Sequence, residues 1–167
     1  KTFKPIFLAS IYIHIPYCKQ ACTYCDFHFR IAQKDKIEML KSIEKEIVER
    51  VSYLNQQKIR SIYFGGGTPS ILDDIDIKKI LSQIGENYSI ADNAEITLEC
   101  NPDDLNEKKL TSLKNLGINR LSIGIQSFDD ADLKFMNRSH NSSEAENCIH
   151  LAKMLGFKNI TIDLIYG

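Results

Sequence analysis

The stretch "CKQACTYCDFH", residues 18–28, sets Cys18, Cys22 and Cys25 within eight positions and follows them with Asp26, Phe27 and His28. Crowded thiolates are soft ligands, which select zinc, copper(I) or an iron–sulfur cluster. Two chemistries stay open at this point. His28, three residues past Cys25, would complete a Cys3His zinc site. Alternatively, three thiolates hold an iron–sulfur cluster and leave one iron without a protein ligand. The chain has five cysteines, an odd number, and three of them share one loop. That is a poor disulfide framework, so a reducing, cytoplasmic compartment is expected.

Two further groups of residues could meet a ligand. Gly65, Gly66 and Gly67, followed by Thr68, remove every side chain from one turn, so backbone can approach a bound molecule closely; an ordinary strand-to-helix turn has the same composition. Glu99 stands at the end of a β-type run, either a solvated carboxylate or a ligand group at the rim where barrels carry their chemistry. Cys100 and Cys148 read as packing residues.

Five β-type runs must position these residues: 11–16, 61–66, 95–100, 120–126 and 159–166. Helical patterns separate them. Ile37, Leu40, Ile43, Ile47, Val51 and Leu54 predict one long amphipathic helix. Ile77, Ile80, Leu81 and Ile84 predict a second, opened at Asp73 or Asp74 and closed at Gly85. Leu110, Leu113 and Leu116 predict a third, from Asn106 to Gly117. Ser143 with Glu146 reads as a capping box for a fourth, running through Ile149, Ala152 and Leu155 to Gly156. Strand and helix in alternation argue for parallel strands with right-handed crossovers.

Within each strand one face is apolar and the other polar. Ile11, Ile13 and Ile15 oppose Tyr12 and His14; Leu121, Ile123 and Ile125 oppose Ser122, Gly124 and Gln126. Ile96 and Leu98 oppose Thr97 and Glu99, and Ile160, Ile162 and Leu164 oppose Thr161 and Asp163. A doubly wound sheet reads apolar on both faces, and a closed eight-stranded barrel fills its interior with branched side chains. The expectation is an α/β fold: part of an incomplete TIM-like barrel, about five strands with helices outside and a polar lumen.

Composition bounds the rest. The chain has 167 residues, 43% of them apolar, and a net charge of −1, which gives no electrostatic footprint for nucleic acid. No apolar run approaches the roughly 18 residues of a membrane span, and the start KTFKPIFLAS is too short and polar for a signal peptide. The chain stops on "IDLIYG", a strand with no helix behind it and a bare apolar edge. Residues 1–167 are therefore expected to be the N-terminal portion of a longer protein, with the rest of the barrel and a C-terminal domain absent.

"IYIHIPYCKQACTYCDF" resembles the cluster-binding signature of the radical S-adenosylmethionine (SAM) superfamily, specifically the oxygen-independent coproporphyrinogen III oxidase family. "YFGGGTPS", "LECNPDDL", "RLSIGIQSFDD" and "IDLIYG" are similar to that family's later motifs, in order. The resemblance implies a [4Fe-4S] cluster on Cys18, Cys22 and Cys25, with SAM chelating the open iron through its amino and carboxylate groups and cleaved by one electron to a 5′-deoxyadenosyl radical. It also implies cofactor contacts from Gly66, Gly67, Thr68, Glu99, Gln126, Arg138 and Asp163, with Tyr12 and Tyr24 beside them. His14 matches a family position but receives no catalytic role.

Two positions choose between branches. The oxidases carry a fourth cysteine two residues after the third, where this chain has Phe27. The haem-chaperone branch commonly has an Arg-x-His pattern, met here by Arg138 and His140, usually preceded by glycine, which is Asn137 in this chain. The resemblance therefore implies a haem-chaperone-like protein of this family, with haem or a porphyrin, an electron donor and a haem-acceptor protein as partners of the full-length chain.

Overall fold

The β-type runs become five parallel strands because each alternates a helix-facing apolar residue with a polar one. The structure, a computed structural model, describes residues 9–166; most of the KTFKPIFLAS start and the final glycine of IDLIYG lie outside the described residues. The elements are β1 (Ala9–Ile15), α1 (Lys36–Glu49), β2 (Ile59–Gly66), α2 (Asp74–Asn87), β3 (Ile90–Cys100), α3 (Glu107–Asn115), β4 (Arg120–Gln126), α4 (Asp130–Phe135), α5 (Ser142–Met154) and β5 (Asn159–Leu164). The strands form one open sheet in the order β1-β2-β3-β4-β5.

Register turns alternation into two surfaces. Ile13, Phe64, Leu98, Leu121 and Ile160 are successive partners across all five strands. The first four are buried and sit in the core with Ile77, Ile80 and Ile84 of α2 and Leu110 and Leu113 of α3. One residue earlier on each strand, Tyr12, Tyr63, Thr97, Arg120 and Asn159 form the matching polar row. A shift of a single residue would exchange the two rows, so burial of the apolar row holds the register. Ile162 and Leu164 on β5 are 38% and 50% exposed, and β5 pairs with β4 alone among the described residues.

The helices depart from expectation in four places. α1 stops at Glu49 and a 3₁₀ turn, Val51–Leu54, follows; left-handed Asn55 and Gln56 then turn the chain towards β2. Only Leu40 and Ile47 of the expected stripe are buried, and Ile37 is 66% exposed. Gly85 does not close α2, which runs on to Asn87. The roughly 1 kcal/mol cost of a helical glycine is outweighed by fully buried Ile77, Ile80 and Ile84. The capping box of α5 is Asn141 with Glu144 rather than Ser143 with Glu146. α4, six residues capped by the Asp129 carboxylate, is too short for periodicity to reveal.

Candidate functional site

Beyond β1 the chain enters the cysteine loop, which is closed at its base. The Cys18 N–H donates to Arg30 O and the Arg30 N–H to Pro16 O. Tyr17 is fully buried there, its hydroxyl donating to Asp35 at 2.8 Å. The turn after β2 docks directly on this base: Gly67 N–H donates to Ile15 O at 2.8 Å and Thr68 N–H to Tyr17 O at 2.7 Å. Gly66 has φ +114°, and a Cβ on Gly67 would stand 2.7 Å from Tyr17 O and 3.0 Å from Cys18 Sγ. Glycine is therefore required by the approach of the cysteine loop as well as by the turn. The Thr68 hydroxyl donates to Cys18 Sγ at 3.3 Å; burial raises the Cys18 thiol pKa and this bond works against the rise.

A cavity of about 580 Å³ opens where β2, β3, β4 and β5 end. Cys18, Cys22 and Cys25 line it, and so do Tyr24, Gly66, Gly67, Thr68, Glu99, Gln126, Arg138 and Asp163. Residues spread over more than 140 positions of sequence are thus brought to one concave surface. Tyr12 is the exception. It sits on the polar face in a neighbouring cavity, its hydroxyl paired with His14 Nδ1 and its ring 6.0 Å from that of Tyr63. His28 also lines that other cavity and not the one with the thiols. Among the described residues no three His, Cys, Asp or Glu side chains gather around a point that would hold a single metal ion. His28, the fourth ligand a Cys3His zinc site would need, thus lies on a different cavity from the three thiols.

Glu99 is held on both oxygens: Tyr63 OH donates to Oε1 at 2.7 Å and Gly66 N–H to Oε2 at 3.0 Å. Burial and this bond push the Tyr63 phenol up to about 12. Arg138 reaches across the cavity wall. Its Nη1 donates to Cys22 Sγ at 3.3 Å and Tyr24 OH at 3.2 Å, and its Nη2 to Asn101 Oδ1 and Gly124 O, both at 2.8 Å. Its Nε is buried without a partner. Gln126 takes φ +69°, a left-handed conformation uncommon outside glycine, at the end of β4.

Several residues escaped sequence reasoning. Tyr63 and Asn101 carry no signal alone; they matter because they orient Glu99 and Arg138. Lys19, paired with Asp103 and Asp104, ties the cysteine loop to the turn after β3. Cys100 and Cys148 are core residues, as expected, and burial raises both thiols.

His140 belongs to the core and does not line the cavity. It is 4% exposed, its Nε2 bonds Ile125 O at 3.0 Å, and its Nδ1 is buried without a partner. Burial first, then Arg138, holds its pKa below the ordinary 6.5, against weaker raising effects that include Asp103 and Glu144. The unfolded chain takes up a proton near pH 6.5 that the folded chain refuses, so stability falls as pH drops below that value and levels off below the folded pKa. Urea midpoints between pH 7 and 5 are expected to show this slope, and His140→Gln to remove that part of it. An unchanged slope in the variant would assign the pH dependence to other groups.

A sequence profile described as the radical SAM superfamily matches residues 12–167. The chain belongs to the radical SAM superfamily. Radical SAM membership implies a [4Fe-4S] cluster and SAM, and the residues fit that pair. Cys18, Cys22 and Cys25, soft thiol donors from one loop, face one cavity, and a glycine turn that admits no Cβ adjoins them.

Among similar proteins are the heme chaperone HemW of Bacillus subtilis (strain 168), 37% identical over 162 residues, covering 96% of this chain and 43% of that protein, and that of Escherichia coli (strain K12), 35% identical over 161 residues, covering 95% and 42%. Among solved structures is coproporphyrinogen III oxidase (HemN) of Escherichia coli, described as a radical SAM enzyme: TM-score 0.87, 31% identity, 95% of this chain and 37% of that one. The chain spans about two fifths of the length of the curated relatives it matches. No helix among the described residues is long and apolar enough to cross a membrane.

Proposed function

We propose that this chain is the cluster- and SAM-binding core of a haem chaperone-like protein of the coproporphyrinogen oxidase family, working in the cytoplasm with haem or a porphyrin, an electron donor and a haem-acceptor protein. The observation that carries the reading is one cavity that brings together the loop cysteines Cys18, Cys22 and Cys25, the glycine turn and Glu99, with Phe27 also on its wall. In the oxidases a fourth cysteine stands at that position. The 35–37% identity to the two HemW proteins supports the same branch.

In this reading Cys18, Cys22 and Cys25 hold the cluster. When bound, it supplies one electron to the sulfonium of SAM. The protein's residues bind and orient. Gly66, Gly67 and Thr68 offer a surface free of side chains to the methionyl end. Glu99, already fixed by two donors, presents negative charge to the cationic cofactor. Arg138 anchors Cys22 and suits the cofactor carboxylate. Gln126 and Asp163 suit the hydroxyl and amine groups of a nucleoside, and Tyr24 walls the site beside Arg138. Tyr12 acts from the polar face, through its stacking on Tyr63.

The test uses the full-length protein, reconstituted anaerobically. Adding SAM is expected to shift the electron paramagnetic spectrum of the reduced cluster. Haem titration is expected to give binding, and incubation with coproporphyrinogen III and a reductant to give no protoporphyrinogen IX. Turnover would overturn the chaperone reading in favour of the oxidase, and an unshifted spectrum would remove SAM from the open iron.

A further inference from the structure

Cys22, the middle cysteine, is gripped from three directions by residues 135–138, over a hundred positions away. On its N-terminal side, Asn137 Nδ2 donates to Ala21 O at 2.7 Å. On its C-terminal side, Thr23 N–H donates to Met136 O at 3.1 Å, and the Thr23 hydroxyl reaches Phe135 O. Its own sulfur accepts from Arg138 at 3.3 Å. Gln20 completes the grip, its Nε2 donating to both Asn137 O, at 2.9 Å, and Asn137 Oδ1, at 2.7 Å. The orientation of the Asn137 amide follows from its partners, since a carbonyl can only accept and the Gln20 amino group here donates.

Asn137 has φ +55°, the left-handed conformation that glycine adopts freely and asparagine tolerates best among the other residues. A glycine at this point would give the chain its turn and nothing more. Asparagine gives the turn and a side chain that donates to one residue of the cysteine loop and accepts from its neighbour. We infer that Asn137 is a positioning residue that clamps the cysteine loop at Gln20 and Ala21, so that Cys22 is held in place before any cluster is bound. The clamp's use rests on the reading of Cys22 as a cluster ligand; the clamp itself is a property of the cluster-free chain.

Two substitutions in the full-length protein separate side chain from backbone. Asn137→Gly keeps the left-handed turn and deletes both side-chain bonds. Asn137→Asp keeps the acceptor for Gln20 and a backbone no freer than that of asparagine, but removes the donor to Ala21. In cluster-free protein, hydrogen exchange at the Thr23 amide is expected to quicken about fivefold in Asn137→Gly, the effect of losing two exposed hydrogen bonds, and to quicken also in Asn137→Asp. In reconstituted protein, loss of iron to a ferrous chelator should quicken in both, with the thermal midpoint unchanged. Wild-type exchange in Asn137→Gly overturns the clamp. Faster exchange in the glycine variant alone also overturns it, because backbone freedom would then be the cause. Should the wild type fail to load iron, the cluster reading falls, and the exchange measurement still decides the clamp.

Discussion

Cys22→Ala in the full-length protein is expected to abolish cluster loading, with iron after anaerobic reconstitution falling to the background of a cysteine-free control. Cys18, Cys22 and Cys25 are the loop thiols on the cavity where strands β2 to β5 end; Cys100, also on its lining, is buried in the core, and two loop thiols cannot hold a cluster that already lacks a fourth protein ligand. The fold should survive. Cys22 is outside the core cluster, and its loop stays tied through the Cys18–Arg30 and Thr23–Met136 backbone bonds. Iron content, visible absorption and circular dichroism together make the check. Full loading with an unchanged spectrum would mean that another residue serves as the ligand.

Glu99→Gln should leave the cluster intact and weaken SAM binding by roughly tenfold to a hundredfold, the range for a hydrogen bond to a charged group. Glutamine can keep the local geometry: its oxygen accepts from Gly66 N–H and its amino group turns to the Tyr63 hydroxyl, replacing the two bonds Glu99 makes. What disappears is the negative charge. Calorimetry with SAM under anaerobic conditions measures the loss, and iron content shows that loading is unaffected. A second readout needs no cofactor. The Tyr63 phenol, held at about 12 by burial and by Glu99, should titrate at lower pH in the variant. Unchanged SAM affinity together with a shifted Tyr63 would make Glu99 a brace for the glycine turn only.

The fold was legible in particular residues. Ile13, Leu98, Leu121 and Ile123 alternate with polar neighbours, and all four are buried against the helices. Burial on one face leaves a period of two in any strand, whichever strands lie beside it. Helix ends were less legible. Asn141, Ser142 and Ser143 can each cap a helix, and the choice of Asn141 came from which following residues the core buries: Ala145, Cys148 and Ala152. Gly85 looked like a stop signal, yet α2 continues through it because tertiary packing outweighs local propensity.

By itself the sequence determined the ligand chemistry, three soft donors at short spacing, and the two-faced strands that make a polar lumen. Both are local properties, written in neighbouring residues. Only the tertiary structure decided which residues meet across the sheet: that His28 turns to the other cavity, that Tyr63 and Gly66 clamp Glu99, and that Asn137 and Arg138 hold the loop around Cys22. Those pairings depend on strand order and register, which join residues far apart in the chain, and no single segment carries them.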